Sequence, residues 1–293
     1  MPSLKEVRNR IASVKSTQQI TSAMKMVAAS KLRKAQNNIL AMRPYASKLR
    51  ELLQDLSSSI DNMEENEYTE ERPAKKILLI AVTSNKGLCG AFNANVIKKV
   101  KAMLSKDFKE QYRQGNLDMF FFGKKAFEHF KKRKYKNVDG DTDLLDNLKF
   151  NNAVPFAEKF MQAFANKQYD KIVLIYNQFK NAALQKLLSE QFLPIVPPEE
   201  EAESTAKMDY IFEPNKEDII RELIPKTLKI QLYKALLDSY ASEQGARMTA
   251  MHMATENAKE LTKELQLKYN KARQASITNE LIEIVSGAEA LKG

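Results

Sequence analysis

The 293-residue chain has one cysteine, two histidines and eight glycines, and each scarcity excludes something. A single Cys, Cys89, cannot build an intramolecular disulfide framework or a thiolate zinc site, and it suits a reducing compartment. His129 and His252 stand far apart in sequence, which leaves no histidine-rich metal centre. No apolar run approaches the roughly 20 residues that a bilayer-spanning helix needs. The opening MPSLKEVRNRIASVK is charged from residue 5 and lacks the apolar core of a secretory signal. A soluble, intracellular chain with no metal site is expected. The 43% apolar content is enough for a packed core in one or two domains.

Glycine is also unevenly placed. The first 86 residues contain none, and only Gly245 falls between Asn215 and Ser286. A helical Gly costs about 1 kcal/mol relative to Ala, so long helices are permitted at both ends. Gly87, Gly90, Gly115, Gly123 and Gly140 mark turns in the middle. Charge divides the same way. Residues 1–50 hold eleven Lys/Arg against one acid, Glu6, whereas residues 216–293 hold twelve basic and eleven acidic residues. With a chain total of +10, the middle adds almost nothing.

Two long stripes follow. Leu4, Val7, Ile11, Val14, Gln18, Thr21, Met24, Ala28, Leu32, Ala35, Ile39, Met42, Ala46, Leu49, Leu53, Leu56 and Ile60 are spaced by three or four, as in a coiled-coil seam. Ser3 and Glu6 form a capping box at its start, and Pro44 should bend the helix or remove one backbone bond. The second stripe runs through Leu237, Ala241, Gln244, Met248, Met251, Ala254, Ala258, Leu261, Leu265, Tyr269, Ala272, Ala275, Asn279 and Ile282. Its helix should start near Lys216 and end at Gly287, with Pro225 disturbing the first turns. Two such stripes in one chain most simply pair antiparallel with each other. The stretch 277–291 keeps apolar residues on more than one side, so a partner surface is expected there.

The middle reads differently. Residues 61–73 are acidic and turn-like. Ile77–Thr83 is a near-continuous apolar run, as a buried parallel strand requires. A turn through Ser84–Gly90 leads into a helix over Asn93–Ser105. Leu117–Phe122 is predicted as a strand, followed by a basic helix to Arg133. Val154–Ala165 is predicted as a helix with Pro155 near its start, and Lys171–Asn177 as another buried strand. Ala183–Leu193 is ambiguous between helix and strand. Residues 197–205 form an acidic loop, and Tyr210–Phe212 a last short strand. The fold class is α/β: a long antiparallel coiled coil of N- and C-terminal helices with a small central Rossmann-like, doubly wound α/β domain. The expected division is residues 1–60, 73–207 and 208–293.

The chemistry-bearing residues are few. Lys86-Gly87-Leu88-Cys89-Gly90 follows a strand but matches neither phosphate-loop pattern, so a tight strand-to-helix turn is the better reading. Cys89 has no recognisable base and reads as a small buried residue. His252, beside the seam, reads as structural. No catalytic and no cofactor-binding residue is expected. The basic first arm has three readings: a solvated face, nucleic-acid binding, or docking onto acidic protein loops. Tyr45 is the one aromatic in the first sixty residues, so the platforms on which bases stack are missing.

Four stretches carry a resemblance. Ile11–Lys34 (IASVKSTQQITSAMKMVAASKLRK), Asn85–Asn93 (NKGLCGAFN), Ala241–Met251 (ASEQGARMTAM) and Leu265–Ala288 (LQLKYNKARQASITNELIEIVSGA) closely resemble the gamma subunits of F-type ATP synthases, in the family's order and from end to end. The cysteine-bearing insertion of chloroplast forms is absent, and no transit peptide precedes residue 2, which favours a bacterial protein. The resemblance implies a central-stalk rotor that couples rotation of the membrane c-ring to changes at the catalytic beta subunits. It implies alpha, beta and epsilon subunits and the c-ring as partners, with no nucleic acid. Membrane contact would be only indirect, through the c-ring, on the cytoplasmic face of the plasma membrane. By motif match, Met24, Lys25, Glu243, Gln244 and Arg247 are contacts to beta-subunit loops, with Lys31, Arg33 and Lys34 as weaker candidates. Ile277, Leu281 and Ile284 belong to the end that turns in an apolar collar of the alpha–beta hexamer. Lys25 stands where some relatives carry an acid, so its contacts would differ. The competing class is a basic coiled-coil protein whose first arm tracks nucleic-acid phosphates.

Overall fold

The computed structural model describes residues 3–57, 67–182, 184–195 and 216–290. The chain divides into two compact units, Ser30–Ala246 and Met1–Ala29 with Arg247–Gly293. Two long helices, α1 (Leu4–Ser57) and α6 (Lys216–Ala290), contribute to both. At 1.5 Å per residue they measure about 81 Å and about 112 Å along their contours.

The unit Ser30–Ala246 is built on a five-stranded sheet in the order β3-β2-β1-β4-β5. Strands β1 (Ile77–Val82), β2 (Leu117–Phe122), β3 (Val138–Asp141) and β4 (Lys171–Phe179) are parallel, and β5 (Gln185–Leu193) runs antiparallel at the edge. Strand β1 is central and buried on both faces, which is why it reads as an unbroken apolar run. Its alternate side chains enter two separate cores. Leu78, Ile80 and Val82 join α5 (Phe150–Ala165) and the early part of α6 through Phe160, Phe164, Leu228 and Leu232. Ile77, Leu79 and Ala81 join α2 (Phe92–Ser105) and α4 (Lys124–Lys132) through Val96, Val100, Ala126 and Phe130. A helix layer on each face of a mostly parallel sheet is the doubly wound arrangement.

Several boundaries move from the sequence expectation. The ambiguous stretch is strand β5. Its turn from β4 is fixed by Asn181, whose side-chain oxygen accepts from the Leu184 N–H at 2.7 Å. Helix α5 begins four residues before the expected Val154 and carries Pro155 inside it. Strand β3 (VDGD) and the short helix α3 (Lys109–Gln114) were not anticipated, because neither shows an apolar period. Gly123 has φ of 95°, and a methyl group there would lie 2.1 Å from the Thr83 carbonyl oxygen, so the ends of β1 and β2 close only around glycine. The expected features at residues 61–66, 197–205 and 210–212 lie outside the described residues.

In the coil unit, the first turns of α1 run antiparallel to the last part of α6. The Thr255 hydroxyl donates to the Thr21 hydroxyl at 2.8 Å, and Lys25 Nζ is 3.3 Å from His252 Nδ1. One helix advances as the other recedes. Ser3 caps α1 through its hydroxyl, which accepts from the Glu6 N–H at 3.2 Å. The first stripe is borne out: Val7, Thr21 and Ala28 are buried here, and Leu32, Ala35, Ile39 and Leu49 in the other unit. Positions 53, 56 and 60 lie outside the described side chains.

The second stripe needs correction from Leu261 onward. Leu261 is 37% exposed, and Thr262 takes the seam position between Ala258 and Leu265. Thr262 Oγ1 donates to the Ala258 carbonyl at 2.8 Å, so a polar residue is buried there with its donor satisfied. The seam then reaches Tyr269, Ala272 and Ser276 rather than Ala275, and the last expected positions, Asn279 and Ile282, are exposed because the shorter first arm supplies no partner there. Neither Pro44 nor Pro225 ends its helix, and α6 runs past Gly287 to Ala290. Each proline removes one backbone bond, and burial on neighbouring turns offsets that loss.

Candidate functional site

The last turns of α6 are the most unusual surface of the coil unit. Ile277, Leu281, Ile282, Ile284 and Val285 are all exposed, Ile284 by 67%. Steps of four and three place Ile277, Leu281 and Ile284 on one stripe, and Ile282 and Val285 beside it. Isolated exposed apolar residues are ordinary, but five within nine residues of one helix make a contiguous patch. Burying each such side chain contributes about 1.5–3 kcal/mol, so this segment is suited to an apolar partner surface.

Further along the same unit, Met24 and Lys25 are half-buried on α1. Lys25 Nζ reaches His252 Nδ1 across the seam. His252 is thus exposed and bonded to a predicted contact residue, a role its sequence context did not signal. Ile20, Met26, Val27 and Met253 are exposed nearby in sequence. Arg247, in this unit, is 9% exposed.

Glu243 and Gln244 belong to the other unit and are 7% and 4% exposed. Gln244 Nε2 donates to Glu243 Oε1 at 3.3 Å. The cause is the β4–β5 hairpin, which covers α6 here: Ser242 Oγ donates to the Asn177 carbonyl at 3.0 Å, and Gly245 lies under Ala182. Periodicity placed Gln244 on the seam and the family resemblance named Glu243 a contact, and neither carried a sign of the hairpin above them. Lys31, Arg33 and Lys34 are exposed. Lys31 and Lys34 edge a groove of about 1080 Å³ formed by α1, the turn around Leu145–Lys149 and α6.

The Thr83–Asn93 turn is filled by its own side chains. Asn93 Oδ1 accepts from the Ser84 N–H at 3.0 Å, and Asn93 Nδ2 donates to Ser84 Oγ and Cys89 Sγ at 2.7 and 3.2 Å. Ser84 Oγ donates to the Lys86 carbonyl at 2.6 Å. Asn85 ties the turn to the start of α4 and to Thr142. Cys89 is buried, as expected. Leu88 adopts a left-handed φ of 63° and is exposed. This is a knotted strand-to-helix connection rather than an open cradle of amides. Among the described residues no group of three potential ligands could hold a metal ion, and no helix is long and apolar enough to cross a membrane.

A family model described as ATP synthase matches residues 3–291. Over 293 residues the chain is 57% identical to the ATP synthase gamma chain of Christiangramia forsetii and 56% identical to that of Flavobacterium johnsoniae, covering all of each chain. Among solved structures it is similar to a chain of the Tetrahymena thermophila mitochondrial ATP synthase central stalk and c-ring. That match has 26% identity and a TM-score of 0.56, and covers 80% of this chain and 99% of that one. A chain of the Euglena gracilis mitochondrial ATP synthase has a like fold, with TM-score 0.67 and 19% identity, over 98% and 94% of the two chains.

Proposed function

This chain belongs to the ATP synthase gamma-chain family, and on that premise we propose that it is the rotor of a central stalk. It turns with a membrane c-ring and drives conformational change at catalytic beta subunits, during synthesis or hydrolysis of ATP. The observation that carries the reading is the coil unit itself, with a buried seam from both chain ends and a bare apolar tip at Ile277, Leu281 and Ile284. A seam resists unwinding under torque, and the tip fits an apolar collar formed by alternating alpha and beta subunits. The epsilon subunit and the c-ring are the partners of the other end. The chain is peripheral, on the cytoplasmic face of a bacterial plasma membrane, and touches the bilayer only through the c-ring. Residues 1–60 and 208–293 form the shaft in this reading, and residues 73–207 the domain that stands on the ring.

Met24, Lys25, Glu243, Gln244 and Arg247 are assigned to contacts with beta-subunit loops. Since the last three are buried, Met24 and Lys25 offer the accessible part, and the others hold α6 in place. Energy sets a limit on such contacts. Moving a two-state site from 1:99 to 99:1 takes about 5.5 kcal/mol of differential interaction, and an exposed ion pair supplies about 0–1 kcal/mol. Several weak contacts must act together with steric pushing, which also avoids a deep trap at any one angle.

The chain supplies no catalytic group in this reading, and nucleotides bind on the hexamer. Purification from solubilised membranes, with mass identification of what accompanies the chain, tests the assignment: alpha, beta and epsilon subunits are expected. ATP turnover by the purified chain alone, sensitive to Lys86→Gln or Cys89→Ser, would overturn it. The nucleic-acid alternative has no support among the relatives above.

A further inference from the structure

The outer helical layer of the central sheet concentrates a charge that the chain-wide balance hides. Residues 93–136 hold thirteen Lys/Arg and four Asp/Glu. Within that stretch, a cleft of about 320 Å³ is lined by Lys101, Ser105, Lys109, Tyr112, Arg113 and Tyr135. Three element ends converge on it. The chain leaves α2 and folds back through the Phe108 N–H, which donates to the Met103 carbonyl at 2.9 Å. Helix α3 closes on Gly115 at φ of 77°, and the Tyr135 N–H donates to the Phe130 carbonyl at the end of α4.

The lining is one-sided in charge. Lys101, Lys109 and Arg113 line the cleft and no carboxylate does. Asp107 and Glu110, the nearest acids in sequence, are exposed and outside it. None of the three cations forms an ion pair with a described residue. Tyr112 and Tyr135, with ring centroids 6.2 Å apart, supply an aromatic wall. Nearby, Arg133 Nη1 lies 3.0 Å from His129 Nδ1. Burial lowers the His129 pKa, and Lys101 and Arg133 lower it further, which marks a positive potential around this cleft.

We propose that the cleft binds a phosphate group, free or esterified. Two ammonium groups and a guanidinium fork are suited to donate, while the Ser105 hydroxyl is taken up by the Ala102 carbonyl at 3.1 Å, and a tetrahedral dianion offers enough oxygens and charge to answer the three cations together. A carboxylate brings one charge and two oxygens, and leaves cations unanswered. The volume admits a phosphate and a small ester, not a folded segment of a partner.

The test uses the full-length chain at fixed ionic strength. Inorganic phosphate is titrated by calorimetry, with acetate as the reference anion. Vesicles containing phosphatidylglycerol, against neutral vesicles, ask whether the phosphate is borne on a lipid. Saturable phosphate binding, or capture by the anionic vesicles, is expected to weaken at least about tenfold in Lys109→Gln/Arg113→Gln. It should change little in Lys124→Gln/Lys125→Gln, which removes the same charge outside the cleft. Circular dichroism confirms that both variants fold. Phosphate binding no tighter than acetate together with no capture by the anionic vesicles over the neutral ones, or equal losses in the two variants, would each overturn the proposal.

Discussion

A methyl group on Gly245 would stand 3.2 Å from the Ala182 carbonyl oxygen. Glycine in the middle of a 75-residue helix therefore records the approach of the β4–β5 turn, not a helix end. At Gly245 a gain in helix propensity of about 1 kcal/mol opposes a tight but adjustable contact. Gly245→Ala should change stability by less than about 1 kcal/mol. Gly123→Ala faces the Thr83 carbonyl at 2.1 Å with an unfavourable φ, and should cost about 2–4 kcal/mol. Urea denaturation of the two variants compares them directly.

The corrected seam separates two leucines that periodicity treats alike. Leu265→Asp places a charge at a position 5% exposed and should cost about 3–5 kcal/mol. Leu261→Asp, at 37% exposed, should cost under about 1.5 kcal/mol. Thermal unfolding followed at 222 nm would rank them, and equal losses would return Leu261 to the seam.

The tip of α6 should matter to assembly and not to folding. Leu281→Ser/Ile284→Ser removes apolar surface that is exposed in the free chain, so its melting should shift by no more than the scatter of surface substitutions, about 0.5 kcal/mol. Reconstitution with alpha and beta subunits should weaken measurably. If assembly is as tight as with the unaltered chain, the collar contact proposed above fails.

His129 gives the chain a pH dependence with a definite sign. Burial first, then Lys101 and Arg133, lowers its pKa from the usual 6.5. Arg133 donates toward Nδ1, which leaves the proton of the neutral ring on Nε2, an atom buried without a hydrogen-bond partner. The unfolded chain takes up a proton before the folded one does. This contribution to stability is therefore present above about pH 6.5 and is lost as pH falls below it, toward the lowered folded value. His129→Gln should flatten that part of the stability profile, as read from denaturation midpoints between pH 5 and 8.

The sequence made the sheet and the coil legible to different depths. Strands β1, β2 and β4 stand out because burial on both faces demands runs that are apolar throughout, as in β1, or nearly so, as in β2 and β4. The α1 stripe stands out because steps of three and four, kept up over so many turns, suit a helical seam and neither a strand nor a loop. Strand β3 is silent: VDGD has no apolar period, and its place is set by pairing with β2 and by the tight fit of Gly140 against Phe121. The exposed Ile277, Leu281 and Ile284 followed from periodicity, because nothing else in the chain was left to cover them. The burial of Gln244 followed from its place on the second stripe, whereas that of Glu243 did not, since a hairpin far away in sequence covers it. His252 gave no local sign either, because its partner Lys25 lies at the opposite end of the chain.

The coil unit draws on Met1–Ala29 and Arg247–Gly293 alone. During synthesis the first arm therefore emerges long before anything it can pair with. At about 5–20 residues per second, more than two hundred intervening residues hold it single for roughly 10–40 s. Throughout that interval Val7, Thr21 and Ala28 face solvent on a strongly basic strand of nascent chain, beside a ribosome rich in phosphate. The sheet can close in the meantime, whereas the spindle can only zip after release. A message that stops early yields a folded middle with a bare, sticky leader, a species that quality control must recognise.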